Sequence, residues 1–348
     1  LQKESRIFLF DYLKFFAFLC VFSVHFSQMF PHMNGIIHSV FMYGQSGCQL
    51  FLLITGYFIA DSVKKDGFSY PTFIRKKIFS VAPGYIVAIA LYFLLNSVLV
   101  RLDIQPAFEG VYNIRSILVN AFLLNGFVPQ YNNNVVPGGW YVGTLVIAFF
   151  VLPPLYKFFK GKKKSAKALA ILFSVFLSVA FAKICCMVDN SLVGNNSFSY
   201  YFIFTQLPVL LMGMFLNEFK TKKIKPAFCA CAFFLFTLVS LIILKTKNYL
   251  LVSLAPAFIG LSFVFLVLLL RKYDLMQKKE NLMIFIGQRT YGCYLTHFIF
   301  AWYVPKIIRN IIEASDNLLF AVLLIPCFAL SVCTGILFSS LITWRKKK

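Results

Sequence analysis

Ten runs of about twenty largely apolar residues, set apart by short basic clusters, restrict this chain to an all-α fold threaded through a lipid bilayer. They fall at roughly 7–28, 39–61, 77–100, 140–159, 167–187, 200–217, 226–244, 250–270, 282–304 and 318–343. At about 1.5 Å of rise per residue, each spans a hydrocarbon core of about 30 Å. Inside that core every backbone N–H and C=O needs a partner within the protein, and a helix supplies them internally. Only 13% of residues are charged, against about 25% in a soluble domain. The net charge of +22 does not point to nucleic acid, because the Lys and Arg sit in short clusters between apolar runs. No internal repeat and no long linker interrupts 1–348, which reads as a single transmembrane domain. The first run is too long for the apolar part of a signal peptide and has no small-residue cleavage site after it, so it is expected to remain as a helix.

Charge sets the expected topology. A further apolar piece, 114–128, is short and interrupted by Asn120, Asn125 and Gly126. If it does not cross, 25 of the 34 Lys and Arg fall on one side with both termini, against six on the other. If it crosses, every later cluster changes sides and the bias collapses. The positive-inside rule therefore favours ten spans, both termini cytoplasmic, with 114–128 a re-entrant or interfacial segment facing outward. The outer loop Gln130–Pro137 is polar and turn-rich. It reads first as a solvated loop, with carbohydrate contact as the other reading.

Ionisable groups inside a span are costly, and by default they mark a functional interior. Asp11, Lys14 and His25 lie within the first run. Eleven positions separate Lys14 from His25. At about 100° per residue that is three turns and about 20°, so both share one face about 16 Å apart, with Asp11 one turn before Lys14. An ion pair reaching to the interface and a structural histidine would give the same pattern. A second polar set, Gln288-Arg289-Thr-Tyr291-Gly-Cys-Tyr294-Leu-Thr296-His297, puts His297 about 20 Å into its run, at a depth like that of His25. The two imidazoles could share one cavity or each be satisfied separately. Arg75, Lys76 and Lys77 sit at the expected cytoplasmic mouth of the third run, where anchoring or phosphate binding would suit them. Trp140 and Tyr141 open the fourth run as interfacial aromatics. The nine cysteines lack metal-ligand spacing and histidine companions, so no metal site is expected.

Taken in order, these segments resemble acyltransferase family 3, membrane proteins that O-acylate surface carbohydrates. Members open with an Asp, an Arg shortly after and a His ten intervening residues later; here these are Asp11, Lys14 and His25, with Lys in place of Arg. Their second helix reads Gly-x-Asp-Leu-Phe-Phe-x-x-Ser-Gly-Phe, and Gly47 to Tyr57 keeps that frame with Gln49 for the Asp and Thr55 for the Ser. Two Arg before a Pro in the third helix correspond to Lys77 and Ser80 before Pro83. At Trp140 many members carry a Glu five residues later, where this chain has Leu145, and Pro153 is in register. The stretches Thr205–Gly213 and Ile286–His297 match later family segments, and the likeness covers nearly the whole chain.

The resemblance implies an O-acyltransferase, an O-acetyltransferase first, that moves an acyl group from cytoplasmic acyl-CoA to a hydroxyl of a surface or exported polysaccharide. It implies acetyl-CoA or another acyl-CoA as co-substrate and no permanently bound cofactor. The expected place is the cytoplasmic membrane of a bacterial cell, multi-pass, with acyl-CoA, a glycan acceptor and the bilayer as partners. His25 is the expected base, or else a transient acyl carrier, since a neutral imidazole suits removal of a hydroxyl proton. His297 would orient it or hold the acceptor. Lys14, kept charged by Asp11, would stabilise developing negative charge or hold the donor. Arg75, Lys76 and Lys77 would meet the donor phosphates, and Gln49, Trp140, Tyr141, Arg289 and Tyr294 would line the cavity. Because Lys14 lies near the inner face and His25 further out, a pore-like interior meeting both faces is expected. On composition alone, a glycan or lipid-linked sugar transporter or flippase fits as well, although no broken-helix repeat supports it. A family member kept as an inactive partner protein is the third reading.

Overall fold

A computed structural model describes residues 8–218, 224–273 and 281–344. The basic residues Lys3, Arg6, Lys220, Lys222, Lys223, Lys278, Lys279 and Arg345–Lys348, which contribute to the charge bias, lie outside the described residues. The described chain is helical, without a strand among those residues. In order the helices are α1 (Phe8–Ser27), α2 (Gly35–Met42), α3 (Gly47–Lys64), α4 (Tyr70–Arg101), α5 (Ile114–Ala121), α6 (Gly139–Phe159), α7 (Lys164–Val188) and α8 (Phe198–Tyr201). They continue with α9 (Ile203–Phe215), α10 (Pro226–Lys245), α11 (Tyr249–Val252), α12 (Ala255–Tyr273), α13 (Leu282–Gly287), α14 (Thr290–Phe298), α15 (Val304–Ile311) and α16 (Asp316–Trp344).

Among the described residues, nine helical stretches are long and apolar enough to cross a membrane. Eight are α1, α2 joined to α3, α4, α6, α7, α10, α11 joined to α12, and α16; the ninth is Phe198–Phe215. The remaining expected run, 282–304, is also helical but broken. It stops at Gly287, restarts at Thr290, and widens into a π-helical turn over Ile299–Tyr303 before α15. Such turns are rare and concentrate at functional sites. The break falls on the polar pair Gln288 and Arg289, which a hydropathy average over about twenty residues smooths away.

The bundle is centred on α1, α3 and α9. In the span ending at Lys64, 78% of the most apolar window is buried, and in the one ending at Phe215, 83%. By contrast α7 and α10 bury only 22%, turning Leu172, Phe173, Phe176, Phe234 and Leu238 outward to the lipid. Lipid provides no hydrophobic drive for one helix to leave it for another, so close backbone approach has to hold the centre. Glycine supplies it. A Cβ at Gly56 would collide with the Leu210 carbonyl oxygen, and one at Gly213 with that of Leu53, so α3 and α9 meet backbone to backbone. Likewise a Cβ at Gly287 would collide with the Asp11 carbonyl oxygen, which seats the broken segment against α1 at its acidic residue.

The segment 114–128 does not form a span. Its helical part, α5, has eight residues, capped by the Asn113 side chain accepting from Ser116 N. Asn120 and Asn125, the residues that interrupt its hydropathy, hold it in place. Tyr85 donates to Asn120 Oδ1 at 2.8 Å, and Asn125 Nδ2 donates to the carbonyls of Gly139 (2.9 Å) and Asn132 (3.2 Å). The loop Gln130–Pro137 is not solvated as its polarity suggests: Asn132, Val135 and Val136 are buried. The polar side chains serve the fold internally, bonding carbonyls that lipid or packing would otherwise leave unpaired.

Candidate active site

Two cavities lie one above the other inside the bundle. The larger, about 1320 Å³, is walled by α1, α3, α4, α6 and α14 at the end that carries the α3–α4 connection. Asp11 and Lys14 face into it. They form the ion pair expected from their spacing, Lys14 Nζ to Asp11 Oδ1 at 3.2 Å, with Asp11 buried and the Lys14 ammonium 5.0 Å from the Phe58 ring centroid. Pairing removes most of the cost of holding either charge within the bundle.

Of the cluster Arg75, Lys76 and Lys77, only Lys77 lines this cavity, together with Ser80 one turn on. Arg75 and Lys76 are exposed. Steps of about 100° per residue turn them away when Lys77 points inward. The Lys77 ammonium lies 5.6 Å from the ring centroids of both Phe73 and Phe149. Sequence reasoning did not single out two further lining charges, Asp61 and Lys65, nor Tyr291 as a lining residue, whose hydroxyl donates to the Val81 carbonyl at 2.8 Å. The i, i+4 spacing of Asp61 after Tyr57 and of Lys65 after Asp61 could have placed both on one face. Arg289 stays outside the cavity lining: it stacks on Phe285, 3.6 Å from the centroid, and donates to the Phe285 carbonyl at 3.0 Å.

The smaller cavity, about 50 Å³, is lined by His25, Gln28, Cys48, Gln49, Trp140, Tyr200 and Tyr201, among others. Trp140 stacks on Tyr201 at 4.4 Å and 14°. Gln49 donates to Tyr200 Oη (3.3 Å) and to Gln206 Oε1 (3.2 Å), while its own Oε1 is buried without a partner. His25 and His297, which spacing put at one depth, come together with ring centroids 5.3 Å apart. His25 packs on Phe298 at 4.2 Å and meets Trp302 edge-on at 5.6 Å. His297 is fully buried, its Nδ1 2.5 Å from the Tyr294 carbonyl oxygen and its Nε2 without a partner.

Tyr141 and Tyr294 form the partition. Both line the larger cavity, their rings 5.0 Å apart, and the Tyr294 hydroxyl donates to Gly138 O at 2.8 Å. The Tyr294 ring is also 5.4 Å from that of His297, so one residue separates the larger cavity from the histidine pair. The expected continuous pore is therefore two chambers divided by an aromatic layer.

A family model described as an acyltransferase domain matches residues 8–344, nearly the whole chain. The chain belongs to acyltransferase family 3. No curated protein and no solved structure gives a significant match. As a membrane acyltransferase, the protein requires an acyl donor, an acceptor and a bilayer. The two chambers differ in character, one broad and lined by lysines, one small and lined by imidazole, amide and aromatic groups.

Proposed function

We propose that this acyltransferase is an O-acyltransferase, acetyl being the first candidate group, that takes acyl from acyl-CoA on the cytoplasmic side and esterifies a hydroxyl of a surface or exported polysaccharide. The observation that carries this reading is the larger cavity, where Lys14, Lys65 and Lys77 lead inward to the tyrosine layer in front of His25 and His297. Typical ligand pockets measure about 300–1,000 Å³, so this one has room for a long donor. Its three lysines against two aspartates suit a polyphosphate head, and its Phe51, Ile54, Leu145 and Phe149 wall suits an apolar arm. The positive-inside bias supports a cytoplasmic position for this chamber.

In the reaction the acceptor oxygen attacks the thioester carbonyl, giving its proton to His25. The new C–O bond forms, the C–S bond breaks, and the CoA thiolate leaves with that proton. Lys14, held by Asp11, offsets the negative charge of the donor end. The thioester has to pass the Tyr141–Tyr294 layer, so that layer shifts when the donor is loaded. Purified protein in liposomes, given acyl-CoA and polysaccharide, is expected to release CoA in proportion to the ester formed. Movement of glycan without CoA release would overturn the proposal in favour of a transporter.

Lys77→Met is expected to raise KM for acyl-CoA about tenfold, or about 1.4 kcal/mol, with kcat within about a factor of two. An unchanged KM would remove Lys77 from the donor site.

A further inference from the structure

Nδ1 of His25 lies 3.1 Å from Gln28 Oε1, and the indole Nε1 of Trp302 lies 3.2 Å from that same atom. An indole N–H can only donate, so the Gln28 atom it meets has to be the amide oxygen and not the amide nitrogen. An amide oxygen can only accept, so in neutral His25 the hydrogen is on Nδ1. Nε2 is left with a free lone pair. Trp302 thus fixes the amide, and the amide fixes the imidazole. Gln28 follows His25 by three residues at the end of α1, while Trp302 arrives from the π-helical turn, so the arrangement exists only where the two segments pack.

His297 repeats the pattern with a backbone acceptor. The Tyr294 carbonyl can only accept, so His297 also carries its hydrogen on Nδ1, and its Nε2 is bare, buried and unpartnered. Two neighbouring imidazoles therefore both keep an acceptor nitrogen at Nε2, but only His25 lines the smaller chamber, where it suits a ligand that donates a hydrogen bond, as a hydroxyl does; His297 is fully enclosed.

We propose that Gln28 and Trp302 are positioning residues for acyl transfer: they lock His25 in the Nδ1–H tautomer and leave Nε2 to take the acceptor's proton. This rests on the reading of His25 as the base. When the hydroxyl proton reaches Nε2, the imidazolium donates a charge-assisted bond from Nδ1 to Gln28 Oε1, which stabilises it until the proton passes to the departing thiolate. A base presenting the wrong tautomer has no lone pair to offer, and in a serine-protease triad that fault costs about 10⁴-fold in kcat.

Three variants and one spectrum test the proposal. Gln28→Leu removes the lock and is expected to lower kcat about 10²-fold with KM for acyl-CoA within about twofold. Trp302→Phe frees the amide to turn its NH₂ toward His25 and is expected to lower kcat about tenfold. Gln28→Glu can only accept, so it retains the tautomer and most of the rate. Its carboxylate favours the imidazolium, so the acidic limb of the pH–rate profile moves to higher pH. A residue that merely packs would make Glu as harmful as Leu and leave the profile in place.

¹⁵N-histidine NMR of the wild-type protein in bilayers reads the tautomer directly, the His25 signal being the one missing from His25→Ala. Hydrogen on Nδ1 is expected, and hydrogen on Nε2 in an active enzyme would overturn the proposal alone. Because the spectrum needs no substrate, an Nδ1–H His25 in a protein that forms no ester would instead leave the hydrogen bonding intact and overturn the reaction it serves.

Discussion

Replacing His25 with alanine is expected to lower acyl-CoA-dependent ester formation by about 10²–10⁴-fold and to leave the protein folded in the membrane. General-base assistance contributes about 10²–10⁴-fold, and a residual rate in that range below wild type is the expected value. The fold should tolerate the change. His25 is only partly buried, it sits at the edge of a small chamber, and its hydrogen bond to Gln28 is local to one end of α1. The loss of packing falls on Phe298 and Trp302, which also pack on each other at 4.4 Å. The measurement is the initial rate of ester formation in liposomes containing equal amounts of wild-type and His25→Ala protein, with elution volume as the check on folding. An unchanged rate in a folded variant would end the assignment of His25 as base.

Gly213→Val is expected to have the largest effect on stability. The α3–α9 crossing is reciprocal: each helix places a glycine against a backbone carbonyl of the other, Gly56 on Leu210 and Gly213 on Leu53. A side chain in a crowded site is usually accommodated by rotamer shifts that cost about 1–3 kcal/mol. Here the obstacle is backbone, so relief requires the two central helices to separate. The cavity residues Gln49, Thr55, Tyr57 and Asp61 all ride on α3, and separation would displace them together. A thermal midpoint lower by about 5–10 °C, with much less monodisperse protein, is expected. Gly35→Ala, where an added Cβ meets nothing within 4 Å, is the control and should stay near wild type. Equal midpoints for the two variants would show that the close approach does not hold the bundle together.

Several features of the site are legible in the amino-acid sequence. The Asp11–Lys14 ion pair follows from a three-residue separation on a helix, and the common depth of His25 and His297 follows from counting rise along two runs entered from one side, although only the structure brings the two rings together. Both are consequences of helix geometry, which is local. Other features are hidden from it. Lys77 and Arg75 look equivalent in a basic cluster, yet only Lys77 lines the chamber, because the direction of the interior depends on the helices packed beside α4. Gln28 is visible from its spacing to His25, but its meaning is not, because the donor that fixes its amide belongs to a segment 274 residues away. The loop Gln130–Pro137 misleads for a related reason: an asparagine amide that would solvate a loop in water is the same group that bonds a buried carbonyl inside a protein, as Asn132 Nδ2 does to the Asn125 carbonyl at 3.2 Å.

By itself the sequence determined the solvent, the class and the periodicity of this protein: apolar runs of membrane length, helices because lipid leaves backbone groups no other partner, and the face on which each charge lies. Tertiary structure alone decided that the interior is two chambers divided by a tyrosine layer, that the 282–304 run breaks at Gln288 and Arg289, and that Trp302 reaches Gln28. The physical reason is one of range. Hydropathy and helical phase act over a few turns of one segment, whereas the choice of neighbour is made where glycine backbones on distant segments can touch.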